Sequence, residues 1–141
     1  MKEEEMKSLA EKDLSVWNGG NLSVLDEILS PKIVRHEVDM REDIIGIEEN
    51  KKNIILNRVG FQDLKVAADK IIIKDDDIVV RWTLTGTNSG TFVDLPPTGK
   101  KIKVSGVTIS HIVDGKAEEV WVYYNQLAGF SQLGFTIKPP E

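Results

Sequence analysis

The sequence predicts an α+β fold, with helices packed on one face of a curled antiparallel sheet. Helical periodicity is confined to the first part of the chain, strand-like composition follows Phe61, and a strong hairpin signal lies near the end. From Met6, apolar residues fall at Met6, Leu9, Ala10, Leu14 and Trp17, one face of a 3.6-residue period. Asn18-Gly19-Gly20 stops this helix with residues that tolerate positive φ. Asn21 is a good N-cap for a short second helix carrying Leu22, Leu25, Ile28 and Leu29, which Ser30-Pro31 ends. A third helix is predicted after Gly46, with Ile47, Ile54, Ile55 and Val59 apolar and Gly60 as its stop.

Beyond Phe61 the pattern changes to β-branched and aromatic runs, through Leu64, Val66, Ile71–Ile73 and Ile78–Thr85. Asp75-Asp76-Asp77 reads as a hairpin tip, and Thr87–Gly90 and Pro96–Gly99 as further turns. Asp114-Gly115 is the pair a type I′ turn prefers, and it joins Ile102–Val113 to Lys116–Asn125 as an antiparallel hairpin. A closing helix is expected over Leu127–Leu133. Strands of about ten residues exceed the usual five or six, so the sheet must twist and curl. A curled sheet closed by helices encloses a hollow, which is a natural place for a small molecule.

The 141 residues suit a single domain spanning 1–141. Hydrophobic residues make up 40% and charged residues 29%, a composition that can bury a core. The absence of cysteine removes disulfides, thiolate nucleophiles and Cys-ligated metal. Eighteen basic against twenty-three acidic residues, with no basic block, argue against nucleic acid as a partner. No apolar run is long enough to span a bilayer, and the charged N-terminus lacks a signal-peptide core, so no membrane partner is expected and the chain reads as cytoplasmic.

Alternation places Ala117, Glu119, Trp121, Tyr123 and Asn125 on one face of the last strand, and Val107, Ile109 and His111 on one face of its partner. Ile78, Val80, Trp82 and Leu84 share a face of an earlier strand, with Val79, Arg81, Thr83 and Thr85 opposite. If these faces turn toward the helices, the hollow gains Trp82, Trp121, Tyr123, His111 and Asn125, with Trp17 approaching from the first helix. Each tryptophan reads first as core packing and second as a ligand contact. His111 reads either as a hydrogen-bonded structural histidine or as a general base. His36-Glu37-Val38-Asp39 brings together potential metal ligands, but no HExxH pattern accompanies them, so His36 is read as a pocket-rim residue and no metal site is expected. No GxSxG, GxGxxG or GxxxxGK[ST] motif occurs.

The segment from Arg81 to Gly134 resembles the SnoaL-like polyketide cyclase family of the NTF2-like superfamily. The resemblance rests on RW, the GT–SG–F spacing, LPPTGK, Gly106, DGK, Trp121 and QLG at 132–134. Pro31–His36, the helix after Gly46 and Phe61–Leu64 fit the same family more loosely. It implies a cone-shaped barrel closed by about three helices around an apolar pocket. It also implies cofactor-independent acid/base chemistry of the cyclase, isomerase or dehydratase type on an apolar or aromatic carbonyl-bearing ligand. The family's basic aspartate falls at Asn125, whose amide cannot accept a proton at neutral pH. Its neighbouring histidine falls at His111. The alternative is therefore a non-catalytic small-molecule-binding protein. Relatives that pair through the sheet, together with the Thr-rich outer face, imply a homodimer.

Overall fold

Met6, Ala10 and Val16 are buried along the first helix, α1 (Glu3–Trp17), whose first turn carries Glu3, Glu4 and Glu5 where the helix dipole favours anions. The computed structural model describes residues 1–38, 42–92 and 94–141. The end of α1 is tied down twice. Asn18 donates to the Val66 carbonyl and accepts from the Val66 amide, at 2.9 and 2.7 Å. Arg58 donates to the carbonyls of Val16 and Gly20. A second helix, α2 (Val24–Ile28), buries Leu25 and Ile28. It begins later than expected, because Asn21 caps a turn by accepting from the Ser23 amide at 2.9 Å.

Strands β1 (Leu29–Glu37) and β2 (Ile44–Ile45) follow and had no counterpart in the sequence reading. The reason is local: β1 has Pro31 near its start and turns Arg35 and Glu37 inward, so the apolar alternation that marks a half-buried strand is missing. The chain continues through α3 (Ile47–Gly60), β3 (Lys65–Lys74), β4 (Asp77–Thr87), β5 (Lys101–Val113), β6 (Lys116–Tyr124) and α4 (Gln126–Gln132). Both expected tight hairpins form. Asp75, Asp114 and Gly115 take positive φ at their tips, at 52°, 50° and 79°.

The six strands form one sheet in the order β2-β1-β6-β5-β4-β3. All neighbours are antiparallel except β1 and β6, which run parallel. The expectation of a wholly antiparallel sheet is corrected at that seam, where the first long strand inserts beside the last. Long strands curl the sheet, and α1, α2 and α3 fill its concave side with Leu25, Ile33, Ile54, Ile78, Val80, Trp82 and Val122 in one buried cluster. Each fully buried side chain of this kind contributes roughly 1.5–3 kcal/mol. No described helix is long and apolar enough to cross a membrane.

Candidate functional site

Two adjacent rungs of the ladder show which side chains face where. On the concave rung, Ile71 pairs with Val80, Val80 with Thr108, Thr108 with Val122, and Val122 with Glu37. On the next rung, facing outward, Ile72 pairs with Val79, Val79 with Ile109, Ile109 with Trp121, and Trp121 with His36. The concave face and the helices surround a cavity of about 470 Å³. That lies within the range of small-molecule sites.

The cavity walls are mostly apolar, and Trp17, Leu25, Phe61, Trp82, Leu84 and Leu133 are among them. Trp82 lies in place because its Nε1 donates to Thr108 Oγ1 at 2.8 Å. It also needs the glycine opposite: a Cβ on Gly106 would sit 2.4 Å from the indole Cζ2. Polar groups enter from three sides. α3 contributes Asn50 and Asn57, whose amides donate to the carbonyls of Gly46 and Asn53 within the same helical segment. β1 contributes Arg35 and Glu37, joined by a 2.7 Å bond from Arg35 Nε to Glu37 Oε1. The Arg35 guanidinium lies 5.2 Å from the centre of the Trp17 ring. α1 contributes Asp13. Burial pushes the Asp13 carboxyl up from its usual range, and the Arg35 charge pulls it partly back.

The residues singled out from sequence divide between two places. Trp17 and Trp82 border the cavity. Trp121, Tyr123, His111 and His36 do not; they stand on the convex face, which corrects the expected place of the first three in the hollow and of His36 at its rim. For Trp121 and Tyr123 on β6 the cause is a bulge. His111 pairs with Glu119 and Ile112 with Ala117, so Glu118 is an extra residue on β6. Ala117 does face inward, but after the bulge the inward residues are Val120, Val122 and Tyr124. On β5 the inward set is Val104, Thr108, Ser110 and Ile112 rather than Val107, Ile109 and His111. Asn125 is exposed and caps α4, its Oδ1 accepting from the Ala128 amide at 3.0 Å.

The convex-face histidines are held by carboxylates. His36 places Nδ1 2.8 Å from Asp43 and Nε2 2.8 Å from Glu119, and its ring stacks on Trp121 at 5.7 Å. The bonds to Glu119 and then Asp43 raise its pKa. His111 Nδ1 lies 2.8 Å from Asp77, and that bond raises its pKa too. Asp39, the last member of the His-Glu-Val-Asp run, lies outside the described residues, among which no three candidate ligands converge on a metal position.

Asp13 is the cavity group that apolar periodicity passed over. It falls at the same helical spacing as Met6, Leu9, Ala10 and Trp17, so an acid standing within a buried helix stripe was the available signal. Arg35 and Glu37 went unread because β1 itself went unread.

A curved sheet wrapped by helices around such a cavity defines the NTF2-like, ketosteroid-isomerase-like class of α+β cones. The chain belongs to the SnoaL-like polyketide cyclase family, whose sequence profile matches residues 8–133. Among solved structures it is similar to AclR, a proposed hydroxylase from Streptomyces galilaeus. The two share 27% identity at a TM-score of 0.83, over 99% of this chain and 87% of AclR. TsrD from Streptomyces laurentii is 25% identical at a TM-score of 0.85, over 95% and 98% of the two chains. A Catenulispora acidiphila protein with a ketosteroid isomerase-like fold, solved with trimethylamine, shares the fold at 14% identity. Its TM-score is 0.78, over 93% of this chain and 97% of that one. Among curated proteins, no sequence matches this chain.

Proposed function

We propose that the protein acts on an apolar, carbonyl-bearing small molecule by cofactor-independent acid/base chemistry of the cyclase, isomerase or dehydratase type, inside the helix-capped cavity. The observation that carries this reading is the charge set of Asp13, Arg35 and Glu37 on a mostly apolar wall. Burying ionisable groups is costly, and a cavity meant only to be filled would do without them. Trp17 and Trp82 supply flat apolar surface for a ring system, and the Asn50 and Asn57 amides lie at the same wall. A non-catalytic binding protein is the second reading, favoured by Asn125. The family's base position here caps a helix and carries an amide.

The test is a panel of apolar ketones and polyketide-type esters, screened by thermal shift and followed by product analysis of the ligands that bind. Occupancy at a hundred times Kd adds about 2.7 kcal/mol to stability. The reading expects at least one stabilising ligand that is also converted, and no stabilisation in a Leu14→Trp variant whose cavity wall is enlarged inward. Binding without conversion across the panel supports the second reading. No binding at all, or equal binding by Leu14→Trp, removes both.

The convex face supports a further part of this reading, a homodimer. Ile72, 48% exposed, continues the apolar rung of Val79, Ile109 and Trp121, and Tyr123, 54% exposed, stands on the same face two residues after Trp121. Sedimentation at tens of micromolar is expected to show a dimer that Tyr123→Asp dissociates; a monomeric native protein contradicts it.

A further inference from the structure

Asp13 stands where α1 should carry an apolar residue. Its neighbours on the inner side of the helix are Leu9, Ala10, Leu14 and Trp17, all at the cavity wall. Among the described residues no hydrogen bond and no ion pair reaches its carboxylate, although carboxylates elsewhere in the molecule are met by histidine, lysine or backbone donors. The carboxyl is half-buried at the cavity wall, where it is open to a ligand and where burial disfavours its charged form. Glu37, the other cavity acid, is differently placed. It accepts from Arg35 Nε at 2.7 Å and from Asn53 Nδ2 at 3.5 Å, and its side chain is 9% exposed. Its carboxylate is already engaged by two donors, whereas that of Asp13 is not.

We propose that Asp13 is the catalytic base of this cavity, and that its substrates are apolar ketones or esters with an acidic C–H next to the carbonyl. The inference rests on the acid/base reading above and assigns its proton to one atom group. The Asp13 carboxylate takes the proton from the α-carbon, and the electron pair of that C–H bond moves into the carbonyl to give an enolate. Arg35, anchored by Glu37 through Nε and backed by the Trp17 ring, provides the positive charge that the enolate oxygen requires. The enolate carbon then either recovers a proton from the Asp13 acid, which exchanges or epimerises the α-carbon, or attacks a second carbonyl. In that case a C–C bond forms and the Asp13 acid protonates the new alkoxide, a ring closure. No oxidant, metal or cofactor enters the balance. The other titratable or charged groups at the cavity are Arg35, Glu37 and Tyr124. Burial, which raises the Asp13 carboxyl, makes it a stronger base than an exposed aspartate.

The probe is 2-tetralone, an apolar bicyclic ketone with acidic α-hydrogens, whose exchange in D2O is followed by NMR. The native protein is expected to bind it by thermal shift and to accelerate exchange. Asp13→Asn is expected to keep binding and lose roughly 10²–10⁴-fold of the rate, with part of it retained in Asp13→Glu. Independently of any ligand, the 13C carboxyl signal that disappears in Asp13→Asn should titrate above the ordinary aspartate value of about 3.9. Failure of the native protein to bind the ketone overturns the cavity reading and this inference with it. Binding without accelerated exchange overturns the acid/base reading and this inference with it, whereas exchange undiminished in Asp13→Asn, or an Asp13 signal titrating in the ordinary range, overturns the assignment of Asp13 alone.

Discussion

The two faces of the sheet carry similar residue types and handle charge in opposite ways. On the convex face each histidine is paired with a carboxylate at 2.8 Å and remains partly exposed. Its pKa shift comes from hydrogen bonds that solvent screens. On the concave face Asp13 has no such partner, and its shift comes first from burial. Paired and exposed groups stabilise locally and are chemically quiet. An unpaired carboxyl shielded from solvent is disfavoured in its charged form and costs stability. The proposed chemistry therefore belongs to the cavity, although the sequence displays its histidines on the convex face.

The difference in burial should be the largest effect to measure. Ile33→Ala, at a concave residue only 1% exposed, is expected to cost about 2–5 kcal/mol in urea denaturation. Ile72→Ala, outward and 48% exposed, should cost less than about 1 kcal/mol in the isolated chain. Equal costs would erase the distinction, and an Ile72 cost that grows with protein concentration would show the convex face buried in an assembly.

A smaller effect tests how closely the concave wall is fitted. A methyl on Gly106 meets Trp82 Cζ2 at 2.4 Å and the Tyr123 carbonyl oxygen at 2.6 Å. Gly106→Ala is expected to destabilise by roughly 1–3 kcal/mol and to shift the tryptophan fluorescence. An unchanged spectrum and stability would mean that the indole has room to move.

Asp13 should reveal the cost of its site. Its carboxyl titrates above the unfolded value, so folding carries no penalty below about pH 4 and an increasing one as pH rises through the raised folded pKa. Asp13→Asn is therefore expected to stabilise the protein by about 1 kcal/mol at pH 7, with the gain vanishing near pH 3. A destabilised Asp13→Asn at neutral pH would show that the carboxylate is satisfied in solution.

The smallest effect lies on the convex face. The His36 pKa is raised, so its stabilisation is complete below about pH 6.5 and is lost as pH rises through the folded value. His36→Gln should flatten the decline of Tm with rising pH, leaving the part due to His111, which has the same sign. A slope identical to that of the native protein would mean that the bonds to Glu119 and Asp43 do not persist in solution.

Local signals were legible where local chemistry decides. The stripe of α1, the Asp114-Gly115 hairpin and the outward placement of Arg81, Thr83 and Thr85 on β4 all follow from periods of 3.6 or 2, or from positive-φ preferences. The motif string from Arg81 to Gly134 identified the family as well. The candidate site was read less well. Alternation states that Trp121 and Val122 point opposite ways, but not which of them points inward. Counting from Ala117 failed because the bulge at Glu118 shifts the parity of everything after it.

By itself the sequence determined the types of the elements other than β1 and β2, most of the turns, the earlier β4 face and the family, since each depends on residues close together in the chain. Only the tertiary structure decided which face of β5 and β6 is concave, that β1 inserts parallel beside β6, and that Asp13 meets the charge of Arg35 within one cavity. These outcomes depend on contacts between residues far apart in sequence. A bulge, a crossover and the seating of α1 on the sheet fix them, and no local preference encodes any of the three.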